Sequence, residues 1–158
     1  MRSKHIICFC VVLLVIMTLT ACSGGEKSQE GQKTTAVVVG DVKISKVEYG
    51  KNITKDFKLE KPGSVFAPAD TIYTMVIVDG RPKSGKVTAK YYLEGEYLTE
   101  ATYNLADVNS GVIISIGEAT YMSFYLTHEK PLPVSKEYKI ELYLNDQKAG
   151  DFPFEVAQ

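Results

Sequence analysis

Lys86-Val87-Thr88-Ala89-Lys90-Tyr91-Tyr92-Leu93-Glu94-Gly95-Glu96-Tyr97-Leu98 is the stretch that decides the fold class. Val87, Ala89, Tyr91 and Leu93 alternate with Thr88, Lys90, Tyr92 and Glu94. Side chains of a strand point alternately to its two faces, so this is a strand with one buried face. Glu94-Gly95 offers a tight turn into a second strand running from Glu96 to Leu105.

The same period recurs on both sides of this hairpin. Val42, Ile44, Val47 and Tyr49 predict a first strand with a bulge. Thr71 to Val78 is β-branched and apolar on both faces, as a central strand should be, and Asp79-Gly80-Arg81-Pro82 stops it with turn chemistry. Gly111 to Ile116 and Thr120 to Thr127 are further candidates. Tyr138, Ile140, Leu142 and Leu144 alternate with Lys139, Glu141 and Tyr143. Asn145-Asp146 then turns toward a last strand, Phe152 to Val156. Seven or eight short strands with turns between them predict an all-β domain, an antiparallel two-sheet sandwich or a barrel.

One detail favours an immunoglobulin-like sandwich. In Pro133-Val134-Ser135-Lys136-Glu137-Tyr138-Lys139-Ile140, Tyr138 stands two residues before a buried position at the start of the penultimate strand. That is the place of the corner tyrosine, whose hydroxyl bonds back to the preceding turn. The usual Gly before it is missing, and the chain contains no Trp. Phe66-Ala67-Pro68-Ala69-Asp70-Thr71-Ile72-Tyr73 and Phe152-Pro153-Phe154-Glu155-Val156 are similar to segments of small Ig-like modules of bacterial envelope lipoproteins. The resemblance covers most of residues 40–158 and carries no catalytic residues.

The N-terminus has a different character. Met1-Arg2-Ser3-Lys4 is basic, and His5 to Ala21 is almost wholly apolar. These are the parts of a secretory leader. Leu19-Thr20-Ala21-Cys22 resembles the lipobox of bacterial lipoproteins. The resemblance implies cleavage before Cys22, a diacylglyceryl group on its sulfur and often an acyl chain such as palmitate on its new amino group. Two or more chains hold a protein stably where one does not, at about 0.8 kcal/mol per buried CH₂. The expected organisation is therefore a signal peptide over residues 1–21, a lipidated Cys22 with a tether over 22–35, and a sandwich over 36–158. Residues 23–33 hold no large apolar residue, as a flexible spacer would not. The implied location is the bacterial cell envelope, on the outer membrane if there is one and otherwise on the outer face of the cytoplasmic membrane.

Loss of residues 1–21 removes two of the 18 basic residues and none of the 19 acidic ones, leaving a net charge of −3. No basic excess marks a nucleic-acid footprint. Cys8 and Cys10 fall in the leader, so the domain is expected to hold together by its core alone.

Candidate chemistry is sparse. His128 is the one histidine after the leader and sits among charges, as a loop residue would. No Gly-x-Ser-x-Gly elbow accompanies it. A zinc site would need several His or Cys ligands. Glu94, Glu96 and Glu100 cluster at the hairpin, where charge keeps an edge soluble. Asp70, Asp79, Asp107 with Asn109, and Asn145 with Asp146 are oxygen donors, but they match no calcium-loop spacing and read as turn residues. Ser84-Gly85-Lys86 lacks the upstream glycine of a phosphate loop. The expectation is no enzyme, no cofactor and no metal.

Ten tyrosines are the richer signal. A two-residue turn pairs Tyr92 with Tyr97, and strict alternation puts Tyr103 on the same outward face. Such a row either stabilises the sheet or makes a contact patch. The expected function is a lipid-anchored, non-enzymatic module that binds an envelope protein. The alternative is a small-ligand or glycan binder.

Cys22→Ala is expected to block processing or to release the protein from membranes. Membrane fractionation with mass determination checks this, and a variant still membrane-bound at the mature mass would refute the anchor.

Overall fold

The computed structural model describes Val37–Val39 and residues 42–158. The expected leader, Cys22 and the tether lie outside the described residues. Within them the chain is all-β. Its strands are β1 (Val37–Val39), β2 (Val42–Gly50), β3 (Asn52–Ile53), β4 (Leu59–Glu60), β5 (Val65–Phe66), β6 (Ile72–Asp79), β7 (Lys86–Leu93), β8 (Glu96–Asn104), β9 (Ile113–Ile116), β10 (Ala119–Leu126), β11 (Ser135–Leu144) and β12 (Gln147–Val156). One five-stranded sheet has the order β1-β2-β6-β10-β9 and a second has β5-β12-β11-β7-β8, while β3 pairs only with β4.

This corrects three expectations. Twelve strands replace seven or eight, because β1, β3, β4 and β5 have only two or three residues and show no alternation to read. A small third sheet accompanies the two large ones. Pairing is not wholly antiparallel either, since β5 runs parallel to β12, with Val65 opposite Glu155 and Phe66 opposite Val156.

The expected turns form. Leu93 pairs with Glu96 across Glu94-Gly95, both at positive φ (52° and 85°). Leu144 pairs with Gln147 across Asn145-Asp146, at 50° and 66°. Two successive positive φ values are the turn whose twist matches that of paired strands.

Bulges then decide which residues face inward. In β2 the register steps at Ser45, between Ile44 opposite Val78 and Lys46 opposite Ile77. Ser45 Oγ donates to the Ile77 carbonyl (3.2 Å). The step keeps Val42 and Ile44 buried before it and Val47 and Tyr49 buried after it. Pro153 sits inside β12 at no cost to the β11 ladder. Glu155 N–H donates to the Ser64 carbonyl (2.8 Å), so residues of that parity turn their backbone groups away from β11.

Side chains from both large sheets share one core. Ile72, Val76 and Val78 of β6 and Met122 and Phe124 of β10 meet Val87, Ala89 and Tyr91 of β7 and Ile140, Leu142 and Leu144 of β11. Hydrogen-bonding and stacking contacts also cross between the sheets. Tyr49 donates its hydroxyl to the Phe152 carbonyl (2.7 Å), Thr74 Oγ1 lies 3.3 Å from the Tyr91 hydroxyl, and Tyr103 stacks on Phe124 with ring centroids 4.6 Å apart. At one end Phe154 touches Tyr49, Phe66 and Tyr138, at 5.6, 6.0 and 5.1 Å between centroids. The Tyr138 hydroxyl donates to the Pro133 carbonyl (2.9 Å), the bond expected of a corner tyrosine.

Phe154→Ala is expected to cost about 3–5 kcal/mol, and Tyr49→Phe about 1–2 kcal/mol, by urea unfolding. A loss below about 1 kcal/mol for Phe154→Ala would show that the two sheets are held elsewhere.

Candidate functional site

Three adjacent strands build the surface that carries the expected tyrosines. Cross-strand register on the outward face of the second sheet places Tyr97 beside Tyr92 and Tyr92 beside Lys139. The next row holds Glu100, Lys90 and Glu141, and the next Thr102, Thr88 and Tyr143. The Tyr92 and Tyr97 rings meet edge to face at 6.0 Å, and Tyr97 is 55% exposed. Lys139 Nζ lies 5.2 Å from the Tyr92 ring centroid and Lys90 Nζ lies 4.9 Å from that of Tyr143.

Tyr103 is not on this face. Tyr91 pairs with Thr99 but Tyr92 pairs with Tyr97, so β8 carries an extra residue at Leu98. That bulge reverses the parity of everything after it. Tyr103 therefore lies opposite the buried Val87 and packs on Phe124. Burial raises its phenol above the ordinary value. The patch consists of Tyr92, Tyr97 and the half-exposed Leu98.

Glu141 fixes the centre of the face. It is 8% exposed, and Oε1 accepts from Lys139 (2.8 Å) and Lys148 (2.9 Å) while Oε2 accepts from the Tyr143 hydroxyl (2.8 Å). The hydrogen bond from Lys139, joined by those from Lys148 and Tyr143, holds its carboxyl down at about 2 against the opposing effect of burial. Lys148 also pairs with Asp151 (2.8 Å). These hydrogen bonds hold both lysines at the carboxylate.

A second aromatic surface went unread in the sequence. On the outward face of the first sheet Tyr73 pairs with Tyr125 (6.0 Å between centroids), and Ile77 pairs with Tyr121, which pairs with Ile114. Tyr125 and Ile116 are about half exposed. The signal was the apolar character of residues 71–78 on both faces, joined to Tyr121 and Tyr125 two alternations apart.

The polar candidates have structural work. Asp70 accepts from the Ala67 N–H (2.7 Å) and pairs with Lys51 (2.5 Å). Asp79 pairs with Lys43 (2.6 Å) and Asp146 with Lys86 (2.8 Å). Glu94 accepts from Ser135 (3.0 Å), and Glu100 lies 3.5 Å from Lys90. His128 Nε2 is 3.3 Å from the Asp70 carbonyl oxygen, and its Nδ1 is buried without a hydrogen bond. An open depression of about 500 Å³ is lined by Ser84, Lys86, Thr102, Asn104, Ala106 and Asn145. Asn145 Oδ1 there accepts from the Lys86 N–H, and Asn104 Oδ1 from the Ala106 N–H. Among the described residues no group of three His, Cys, Asp or Glu is placed to hold a metal ion, and no helix is long and apolar enough to cross a membrane. Compared with known proteins, the chain matches no family model and no curated protein.

Stability should follow the protonation of Glu141. Its pKa is lowered on folding, so its contribution is complete above about 4.5 and is lost as pH falls toward about 2. Glu141→Gln is expected to lose about 1–2 kcal/mol at pH 7 and to flatten the urea midpoint between pH 5 and 2. An unchanged acid limb in the variant would assign the acid sensitivity to other carboxylates.

Proposed function

We propose that this protein is a lipid-anchored, immunoglobulin-like module of the bacterial envelope that binds a protein partner and has no catalytic role. The single observation that carries the binding reading is the Tyr92–Tyr97 pair. Tyr97 is exposed beside the half-exposed Leu98, and Lys139, held by Glu141, lies over the Tyr92 ring. Exposed tyrosine on a rigid strand offers apolar area and a polar tip at low entropy cost, which suits a protein contact.

The finer fold reading rests on strand order. β2-β6-β10-β9 follows the order A-B-E-D of an immunoglobulin sandwich, and β12-β11-β7 follows G-F-C with β8 added beyond C. The Tyr138 bond to Pro133 supports the same assignment. The envelope location and the lipid anchor rest on residues 1–22, through the likeness of Leu19-Thr20-Ala21-Cys22 to a lipobox.

Crosslinking in native cells followed by purification and mass spectrometry tests the proposal. Tyr92→Ser with Tyr97→Ser is expected to lose the specific partner while the melting temperature changes by no more than about 8 °C, as the loss of a cross-strand pair implies. Equal recovery with wild type and the double variant would move the contact off this face.

A further inference from the structure

We propose that two copies of this chain associate through β8, joining their second sheets edge to edge about a two-fold axis at Ala101. This goes beyond the partner reading above and does not rest on the anchor. β8 is the outermost strand of its sheet and pairs with β7 alone. Among the described residues the other outer strands of the two large sheets, β1, β5 and β9, have three, two and four residues, whereas β8 has nine. Beyond the Leu98 bulge, Thr99 to Asn104 has no proline or glycine to break a second ladder.

The direction of its backbone groups follows from one bond. Leu105 N–H donates to the Gly85 carbonyl (2.8 Å), on the β7 side. Backbone groups alternate along a strand, so Thr99, Ala101 and Tyr103 spend theirs on β7. Glu100 and Thr102 turn their N–H and C=O groups outward, away from the sheet.

The occupant that fits this edge is β8 itself. With the axis at Ala101, Glu100 stands opposite Thr102 of the second copy, and both residues present outward backbone groups. That pair exchanges two hydrogen bonds, and its symmetry mate two more. Side chains agree with the same register. On the outer face each Glu100 meets a threonine hydroxyl, which can donate to it, and each keeps its own Lys90 at 3.5 Å. No like charges stand directly opposite. On the inner face Ala101 meets Ala101, with Thr99 against Tyr103 on either side, which extends the core row already formed by Tyr103 on Phe124. The contact is isologous, so it closes at two copies.

The test uses the full chain in mild detergent. Sedimentation is expected to show a monomer–dimer equilibrium. Thr102→Pro removes an outward N–H and leaves the β7 ladder intact, so it should weaken the dimer by about tenfold or more. Thr102→Ser, which keeps the N–H and the hydroxyl, should not. Ala101→Cys supplies an independent readout. Residues opposite each other in a non-hydrogen-bonded pair have Cα atoms about 4.5 Å apart, within disulfide range. Oxidation should yield a disulfide joining two copies of the peptide that carries residue 101. The proposal is overturned by a chain that sediments as monomer at all concentrations, or by a dimer that survives Thr102→Pro. Failure of residue 101 to link to itself in a folded variant, or its linkage to a different protein, overturns it equally.

Discussion

Tyr49 belongs to the first sheet, yet its hydroxyl donates to a carbonyl of β12 in the second. Its ring packs on Phe66 and Phe154, and Phe154 in turn stacks on Tyr138. Among the described residues there is no cysteine, so no covalent link holds the sheets face to face. Four rings take that role. Each buries on the order of 150–250 Å², and edge-to-face geometry adds specificity to area. Burial raises the Tyr49 phenol well above its ordinary pKa, so it stays neutral and remains a donor. The two tyrosine hydroxyls find backbone carbonyls of Phe152 and Pro133, so a cluster that is apolar in bulk leaves neither of its polar tips unpaired.

Around that cluster the bulges set the orientation of the strands. An extra residue at Ser45 keeps both halves of β2 pointing inward, and its pattern of Val42, Ile44, Val47 and Tyr49 shows the step in the sequence itself. The extra residue at Leu98 is different. Glu96 to Thr102 has no buried residue to mark a change of parity, because β8 lies on the rim and is exposed along most of its length. Alternation therefore carries Tyr92 and Tyr97 correctly to one face and misplaces Tyr103. The same physics explains the short strands. Val65-Phe66 joins the sheet through two backbone pairings and a single buried ring, which leaves no period to detect. The Tyr138 corner was legible because one residue type at one spacing implies one hydrogen bond. The Tyr73–Tyr125 surface was not, since a central strand that is apolar on both faces reads as doubly buried.

The two outward faces solve exposure differently. On the second sheet, charges opposite in sign stand in adjacent strands, and Glu141 gathers Lys139, Lys148 and Tyr143 into one network. On the first sheet, tyrosine and isoleucine replace charge along β6, β9 and β10. Water tolerates the first arrangement at little cost. Both faces hold their rings on strands rather than loops. A partner meeting either one would find its rings on backbone already held by the sheet, which lowers the ordering cost.

That rigidity bears on how the proposed anchor would act. If residues 22–35 act as its tether, their roughly 14 residues would reach at most roughly 50 Å. It would confine the domain to a thin layer above the membrane, where a partner bound to the same surface is met at an effective concentration set by the tether rather than by the bulk. A weak contact would then suffice. Edge pairing through β8 adds to this. Two copies joined there would present two Tyr92–Tyr97 patches on one continuous sheet, and simultaneous engagement of both would raise the residence time without any new interaction at either patch. The sheet edge and the sheet face are orthogonal surfaces of the same strands, so the fold can offer both without one obstructing the other.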